Sequence, residues 1–393
     1  MLQVVAPPLR SEQALERFTA LKNHLERWYY QPDLQSLLIT LSVGVSHFVP
    51  NADPVWLFVM GPSGGGKSTI NIRATSCLPR THSVSDLTEN SILSGYHVNT
   101  KKKTASIGLL VDIGQSGIVL MKDFTTILSK REDERKKIIA AMREIHDGQY
   151  TRVLGNVGKI GWSGKATIIA ATTQSLEGCW AVLRDMGERF IQVRTNRADG
   201  VQVAQAAINQ IGHEKAIADK TLKLTKAFID FDTLAFNSNG FHWNEQFDQI
   251  KYLAEYVAHC RATTHHVNNR EEAVKVGETE APSRLMKAFG QIAHAHALLF
   301  RKSIGEEEMN AVRRVALDSI QTPRARILGL IPDDADIPRP AIARLTGMAN
   351  STVGWVASEL HALGIIKIEN EFEDRYSFTV DFQELRRKAG LVQ

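Results

Sequence analysis

One octapeptide constrains this chain more than any other feature. Gly61-Pro62-Ser63-Gly64-Gly65-Gly66-Lys67-Ser68 matches GxxxxGK[ST] in full, and Thr69 follows it. The loop comes directly after Val55–Met60, a short apolar run that reads as a buried strand, and a helix is expected to follow. A backbone rich in glycine can curl so that successive N–H groups point inward at phosphate oxygens. Lys67 would then reach the β- and γ-phosphates as a point charge. The Ser68 hydroxyl would ligate Mg²⁺, and the helix N-terminus would add its dipole. ATP and Mg²⁺ are the expected ligands of residues Gly61 to Thr69.

Two further apolar runs, Gly117–Met121 and Thr167–Ala171, read as buried strands, and Leu128–Ile145 reads as a helix with one charged face. Strands alternating with helices predict an α/β core with a mainly parallel sheet covered on both sides. Asp123 follows the second strand, at the carboxyl end where open α/β sheets bind their ligands. Two roles are open to it: holding Mg²⁺ through water, or polarising the attacking water. An Asp-Glu pair is usual at this point, and here the pair is Lys122-Asp123.

The order of these elements resembles that of the AAA+ ATPases. Within them it is most similar to the minichromosome-maintenance (MCM) helicases and the MCM-like, self-loading replicative helicases of mobile genetic elements. Lys122-Asp123-Phe124-Thr125 and Arg143-Glu144-Ile145-His146-Asp147-Gly148 carry the likeness to that last group. The resemblance covers roughly residues 35–385 and implies three more site residues. Thr173 falls where the family places a polar sensor of the attacking water. Arg189, in Gly187-Glu188-Arg189-Phe190, falls at the arginine finger that completes a neighbouring subunit's site, with Arg184 as a competing candidate. Arg284, in Pro282-Ser283-Arg284-Leu285, resembles the second sensor at the start of a lid helix. A site completed in trans implies a ring, and the resemblance implies a hexamer.

Gln149–Trp162 contains two β-prone runs around a Gly/Asn turn, which is a hairpin signature. In MCM-type helicases a hairpin at this point grips the DNA backbone with a tip lysine, and Lys159 takes that place. Arg152 and the earlier run Lys101-Lys102-Lys103 are the other candidate DNA contacts. Residues 101–165 hold thirteen basic against seven acidic residues, a larger excess than the +4 of the whole chain. Backbone binding to nucleic acid is mainly electrostatic, so that concentration favours such a partner.

The C-terminal region resembles a winged helix. A helix over Arg339–Leu345 is followed by a turn at Gly347. A second helix, capped by Asn350 or Ser351, runs to about Leu363, and Ile365–Ile368 and Tyr376–Val380 form two wing strands. Residues 301–393 are nearly neutral, with 13 Lys and Arg against 14 Asp and Glu, so both DNA and protein remain open as its partner.

The whole reads as a helical N-terminal segment (1–50), an AAA+ core (51–199), a helical lid (200–304) and a winged-helix domain (305–393). The expected function is an ATP-driven motor on DNA, a hexameric MCM-like replicative helicase. The alternatives are a DNA loader, initiator or transposition regulator, or a defence or signalling AAA+ protein whose winged helix binds protein. The three cysteines, Cys77, Cys179 and Cys260, lack metal-ligand spacing and read as thiols of a reducing cytosol. The apolar stretch Leu37–Val49 is too short and polar to span a bilayer, and no secretory signal is evident. A cytoplasmic protein with no membrane partner is expected.

Overall fold

A computed structural model describes residues 11–94, 108–154, 158–179, 189–196, 198–236, 245–268, 270–271, 273–370 and 373–392. The chain divides into two compact units, Met1–Phe241 with Gln291–Glu308, and His242–Gly290 with Met309–Gln393. The helices expected over 200–304 are therefore shared between the two.

The first unit opens with helices α1 (Ser11–Trp28) and α2 (Leu34–Ser46). Asp33 caps α2 through its side chain, which accepts from Ser36 N at 3.0 Å. Strand β1 (Trp56–Met60) enters the glycine loop, which passes into a helical segment, Lys67–Ile72, continued by α3 (Arg73–Thr75). Then follow β2 (Thr81–Val84), α4 (Glu89–Ile92), α5 (Leu109–Ile113), β3 (Ser116–Met121), α6 (Thr125–Leu128) and α7 (Glu132–His146). A hairpin of β4 (Gln149–Leu154) and β5 (Gly158–Ser163) leads to β6 (Lys165–Thr172) and β7 (Phe190–Arg194). Helices Gly200–Gln210 and Glu214–Ile229 complete the unit's main elements.

Strands β2, β3, β6, β1 and β7, in that order, form one five-stranded parallel sheet. This is the mixed α/β architecture, compatible with a Rossmann-like core, that the apolar runs predicted. Strands β1, β3, β6 and β7 are buried on both faces, as parallel strands are when crossovers cover them, whereas the edge strand β2 is only partly covered. On one face Trp56, Phe58, Val119, Met121, Ile168 and Phe190 share a core with α6 and α7. Phe58 and Phe190 stack at 3.8 Å between centroids, and Trp56 meets Phe190 at 5.0 Å. Against the other face lie α2, which contacts β1, β6 and β7, and the helical segment after the loop, which contacts β6.

The second unit carries helices Glu245–Arg261, Arg339–Thr346 and Asn350–Ala362 and a three-stranded sheet in which Asp374–Phe378 lies between Ile337–Pro338 and Ile366–Asn370. The cap of Asn350–Ala362 differs from expectation. Asn350 is its first residue, and Ala349 stands at the cap position with no side-chain bond. The region 200–304, expected as a helical lid, also contains a short antiparallel pair, Thr264–His266 with Val274–Val276. Arg324, 2% exposed, donates to the carbonyls of Cys260 and Ala262 and to the Glu359 carboxylate within this unit. Among the described residues, no helix is long and apolar enough to cross a membrane.

A buried histidine under the sheet gives a pH test of this packing. His47 hydrogen-bonds Thr167 Oγ1 at 3.0 Å and Ser116 Oγ at 2.9 Å. Burial, and then Lys165 and Arg80, depress its pKa from 6.5 to about 3. As pH falls, the unfolded chain therefore takes up the proton first. The contribution of the neutral ring is complete above pH 6.5 and is lost as pH drops from there towards 3. Denaturant titrations should find this residue's share of stability about 2 kcal/mol smaller at pH 5 than at pH 7. That increment should vanish in His47→Gln.

Candidate functional site

The site grows from the carboxyl edge of the sheet. Met60, the last residue of β1, lies opposite Thr172 of β6 on one side and Arg194 of β7 on the other. Three backbone bonds extend the alignment past the strand ends: Gly61 N to Thr172 O at 3.3 Å, Thr195 N to Met60 O at 2.7 Å, and Phe124 N to Ala171 O at 2.8 Å. Insertion of β6 between β1 and β3 thus brings the segments holding Lys67, Thr173 and Asp123 to one edge.

The loop is shaped by its glycines. Gly64 and Gly66 have φ of +78° and +83°, and Gly65 N closes a turn onto Pro62 O at 3.1 Å. Pro62, Ser63, Gly64 and Gly65 are exposed. Lys67 is 8% exposed, and its Nζ donates to the carbonyls of Gly61 at 2.8 Å and Pro62 at 2.6 Å. Burial pulls the pKa of this ammonium down, and the Asp123 carboxylate pulls it back up. The two charges therefore act on one another. Ser68 Oγ donates to Lys122 O at 3.1 Å, which joins the helix start to the end of β3. Thr69, exposed on the same turn, donates to Gly66 O at 3.4 Å.

Asp123 is exposed. Its Oδ1 accepts from Thr125 N at 2.9 Å and from Thr125 Oγ1 at 2.5 Å, which fixes the carboxylate at the head of α6. Lys122, its neighbour, is exposed as well. Thr173 follows β6, and its hydroxyl bonds Ser175 Oγ at 2.7 Å.

Arg189 stands one residue before β7, at the opposite end of the strand from Arg194. A strand rises about 3.3 Å per residue, so ~16 Å separates it from the loop level. Its guanidinium is 9% exposed and takes Asp147 side-on, with Nη2 to Oδ2 at 2.7 Å and Nε to Oδ1 at 3.4 Å. Arg284 lies in the other unit, exposed on the first turn of the helix Ser283–Leu299.

The hairpin pairs Gln149 with Ser163 through Leu154 with Gly158, and the tip, 155–157, is outside the described residues. The two hairpin cations differ. Lys159 is exposed and lies across from Val153, itself 80% exposed. Arg152 is tied down, donating to Glu89 Oε1 at 3.0 Å and to the carbonyls of Glu89 and Leu93. It anchors the hairpin to α4. Lys101, Lys102, Lys103 and Arg184 are outside the described residues.

Three neighbours of the loop escaped the sequence reading. Thr195 Oγ1 donates to Met60 O at 3.1 Å and packs on Gly61. Arg194 pairs with Glu177 at 3.4 Å, in the turn after Thr173. Tyr29, after α1, hydrogen-bonds the Thr69 side chain. None has a local signal, because each becomes a neighbour only through strand order or helix packing.

No family model matches the chain, and no curated protein matches it significantly.

The close approach at Gly61 has a measurable consequence. A Cβ there would lie 2.0 Å from Thr195 Oγ1. Gly61→Ala should cost about 1–3 kcal/mol as Thr195 is forced off Met60. At Gly64 a Cβ meets nothing within 4 Å. Gly64→Ala should cost only its left-handed backbone, about 1 kcal/mol. Thermal denaturation without nucleotide checks the order of the two.

Proposed function

We propose that this chain is an ATP hydrolase of the AAA+ type that works on DNA as a hexameric ring, most like the MCM-like replicative helicases. The observation that carries the reading is the meeting of a full phosphate-loop sequence with Ser68, Asp123 and Thr173 at one edge of a parallel sheet.

The chemistry follows from the groups present. The loop N–H groups and Lys67 would bind the phosphates of ATP, with Lys67 leaving its two carbonyl acceptors for phosphate oxygens. A hydroxyl on Ser68 and a carboxylate on Asp123 are hard oxygen ligands and fit Mg²⁺. Among the described residues no group of three or more His, Cys, Asp or Glu side chains could hold a metal ion. A cation shared between one carboxylate and the nucleotide's phosphates suits that arrangement. When bound, Mg²⁺ would neutralise charge on the phosphates. Asp123 and Thr173 would orient the attacking water. Lys122 would add positive charge at the end of β3, where an acidic residue is usual.

Arg189 is read as the finger that acts on a neighbouring subunit. Its distance from its own loop along β7 supports that reading and the ring it implies. The exposed Lys159 supports a hairpin that holds a nucleic-acid backbone, whereas Arg152 serves to brace it. The helix pair Arg339–Thr346 and Asn350–Ala362, followed by two antiparallel strands, supports a winged helix in the second unit.

Two mutations test the nucleotide site. Lys67→Ala should weaken ATP binding by about 2–4 kcal/mol, measured by calorimetry. Asp123→Asn should bind ATP nearly as well and lose most turnover. Near-wild-type affinity in the first variant would remove the phosphate-loop assignment.

The DNA reading is tested by the ATPase rate with and without single- and double-stranded DNA. Stimulation is expected. Lys159→Ala should reduce it, weaken binding alike for all sequences and shrink the salt slope by about one. An ATPase indifferent to nucleic acid would favour a protein-directed AAA+ machine.

A further inference from the structure

The side-on pair between Asp147 and Arg189 joins two parts of the proposed machine that are 42 residues apart in sequence. Asp147 caps the C-terminal end of α7, and a single residue, Gly148, separates it from β4 of the hairpin. Gly148 turns the chain with φ +83°, and its carbonyl accepts from Gly164 N at 3.0 Å, closing the base of the hairpin. The other leg is pinned to the sheet. Lys165 N donates to Gln115 O at 2.9 Å, and Gly164 sits so close to Gln115 that a Cβ would lie 2.4 Å from its carbonyl oxygen. The β4 leg is held as well, by Tyr150 in the core and by Arg152 on α4, and it joins Asp147 through Gly148. Asp147 in turn binds the Arg189 guanidinium, whose next residue, Phe190, is paired with Trp56 in the sheet. Neighbouring His146 lies against the Trp56 ring at 5.0 Å, so the base of the hairpin also touches the aromatic layer under β7.

We propose that Asp147 is a positioning residue that holds Arg189 for action on the neighbouring subunit and couples it to the hairpin. The proposal rests on the reading of Arg189 as a finger. Burial acts to raise the pKa of the Asp147 carboxyl, but Arg189, and then His146, outweigh it and keep it below the usual range. The carboxylate is thus charged wherever the protein works. It grips Nε and Nη2 together, which sets the plane of the guanidinium as well as its place. A misplacement of about 1 Å at a transition-state contact costs on the order of 100-fold in rate.

The test uses the full chain and asks across which subunit boundary Asp147 acts. Asp147→Asn should bind ATP with wild-type affinity and lose about 10–100-fold of its DNA-stimulated hydrolysis. Asp147→Glu keeps the charge and should recover part of it. A Lys67→Ala subunit cannot use its own site but carries an intact Asp147 and Arg189. Mixing it with Asp147→Asn protein should restore a measurable part of the stimulated rate, as mixing it with Arg189→Ala protein should. A merely structural pair would not be rescued by a neighbour. The proposal is overturned if Asp147→Asn keeps the wild-type stimulated rate. It is equally overturned if Lys67→Ala rescues Arg189→Ala but not Asp147→Asn. Failure to rescue Arg189→Ala, in subunits shown to co-assemble, brings down the finger reading first and this proposal with it. Should Asp147→Asn fail to fold, Asp147→Ser enters the same mixtures under the same criteria.

Discussion

Strand β1 is hydrogen-bonded on both sides, to β6 and to β7, and the position of everything at the candidate site follows from that register. Met60 is held between Thr172 and Arg194. The glycine loop that leaves it therefore begins level with the ends of two other strands. The register is kept by burial. Trp56 and Phe58 on β1 and Phe190 on β7 form one aromatic layer, and sliding β7 by one residue would turn Phe190 to the opposite face. The core of the sheet and the geometry of its edge are thus a single constraint.

The edge itself is an electrostatic arrangement on a small scale. Lys67 is nearly covered and would suffer from burial without the Asp123 carboxylate and two carbonyl acceptors. Those carbonyls are weaker partners for an ammonium than the charged oxygens of an anion. Lys122 beside Asp123 makes this edge more positive than an Asp-Glu pair would. An anion with several charged oxygens suits it, and that physical argument stands apart from any likeness to a family.

At the opposite end of the same strands, polar groups hold the hairpin in place. Arg152 braces the hairpin on α4, and Asp147 links its base to Arg189. The hairpin is thus held at its base and on α4, while Val153 and Lys159 in its outer part are exposed to solvent.

Much of this was legible in the amino-acid sequence. The strands at 56–60, 116–121 and 165–172 and the hairpin at 149–163 lie close to where apolar runs and turn residues put them, whereas the helix expected over 128–145 begins only at Glu132, after a break that follows Leu128. The turn into the helix after Gly66 also lies where the glycines put it. These features are encoded within a few residues, by steric limits on φ and by which side chains must leave water. The cap at Ala349 and the short strands at 264–266 and 274–276 show the limit of such reading, since tertiary contacts overrode weak local signals. Only the folded chain decided that β6 stands between β1 and β3, that Thr195 and Arg194 flank the loop, that Arg152 is an anchor while Lys159 is free to solvent, and that Arg189 is gripped by Asp147. Each of these joins residues from about 40 to 135 positions apart. Such pairings are chosen by the summed burial and hydrogen bonding of the whole sheet, a quantity that no local window of sequence contains.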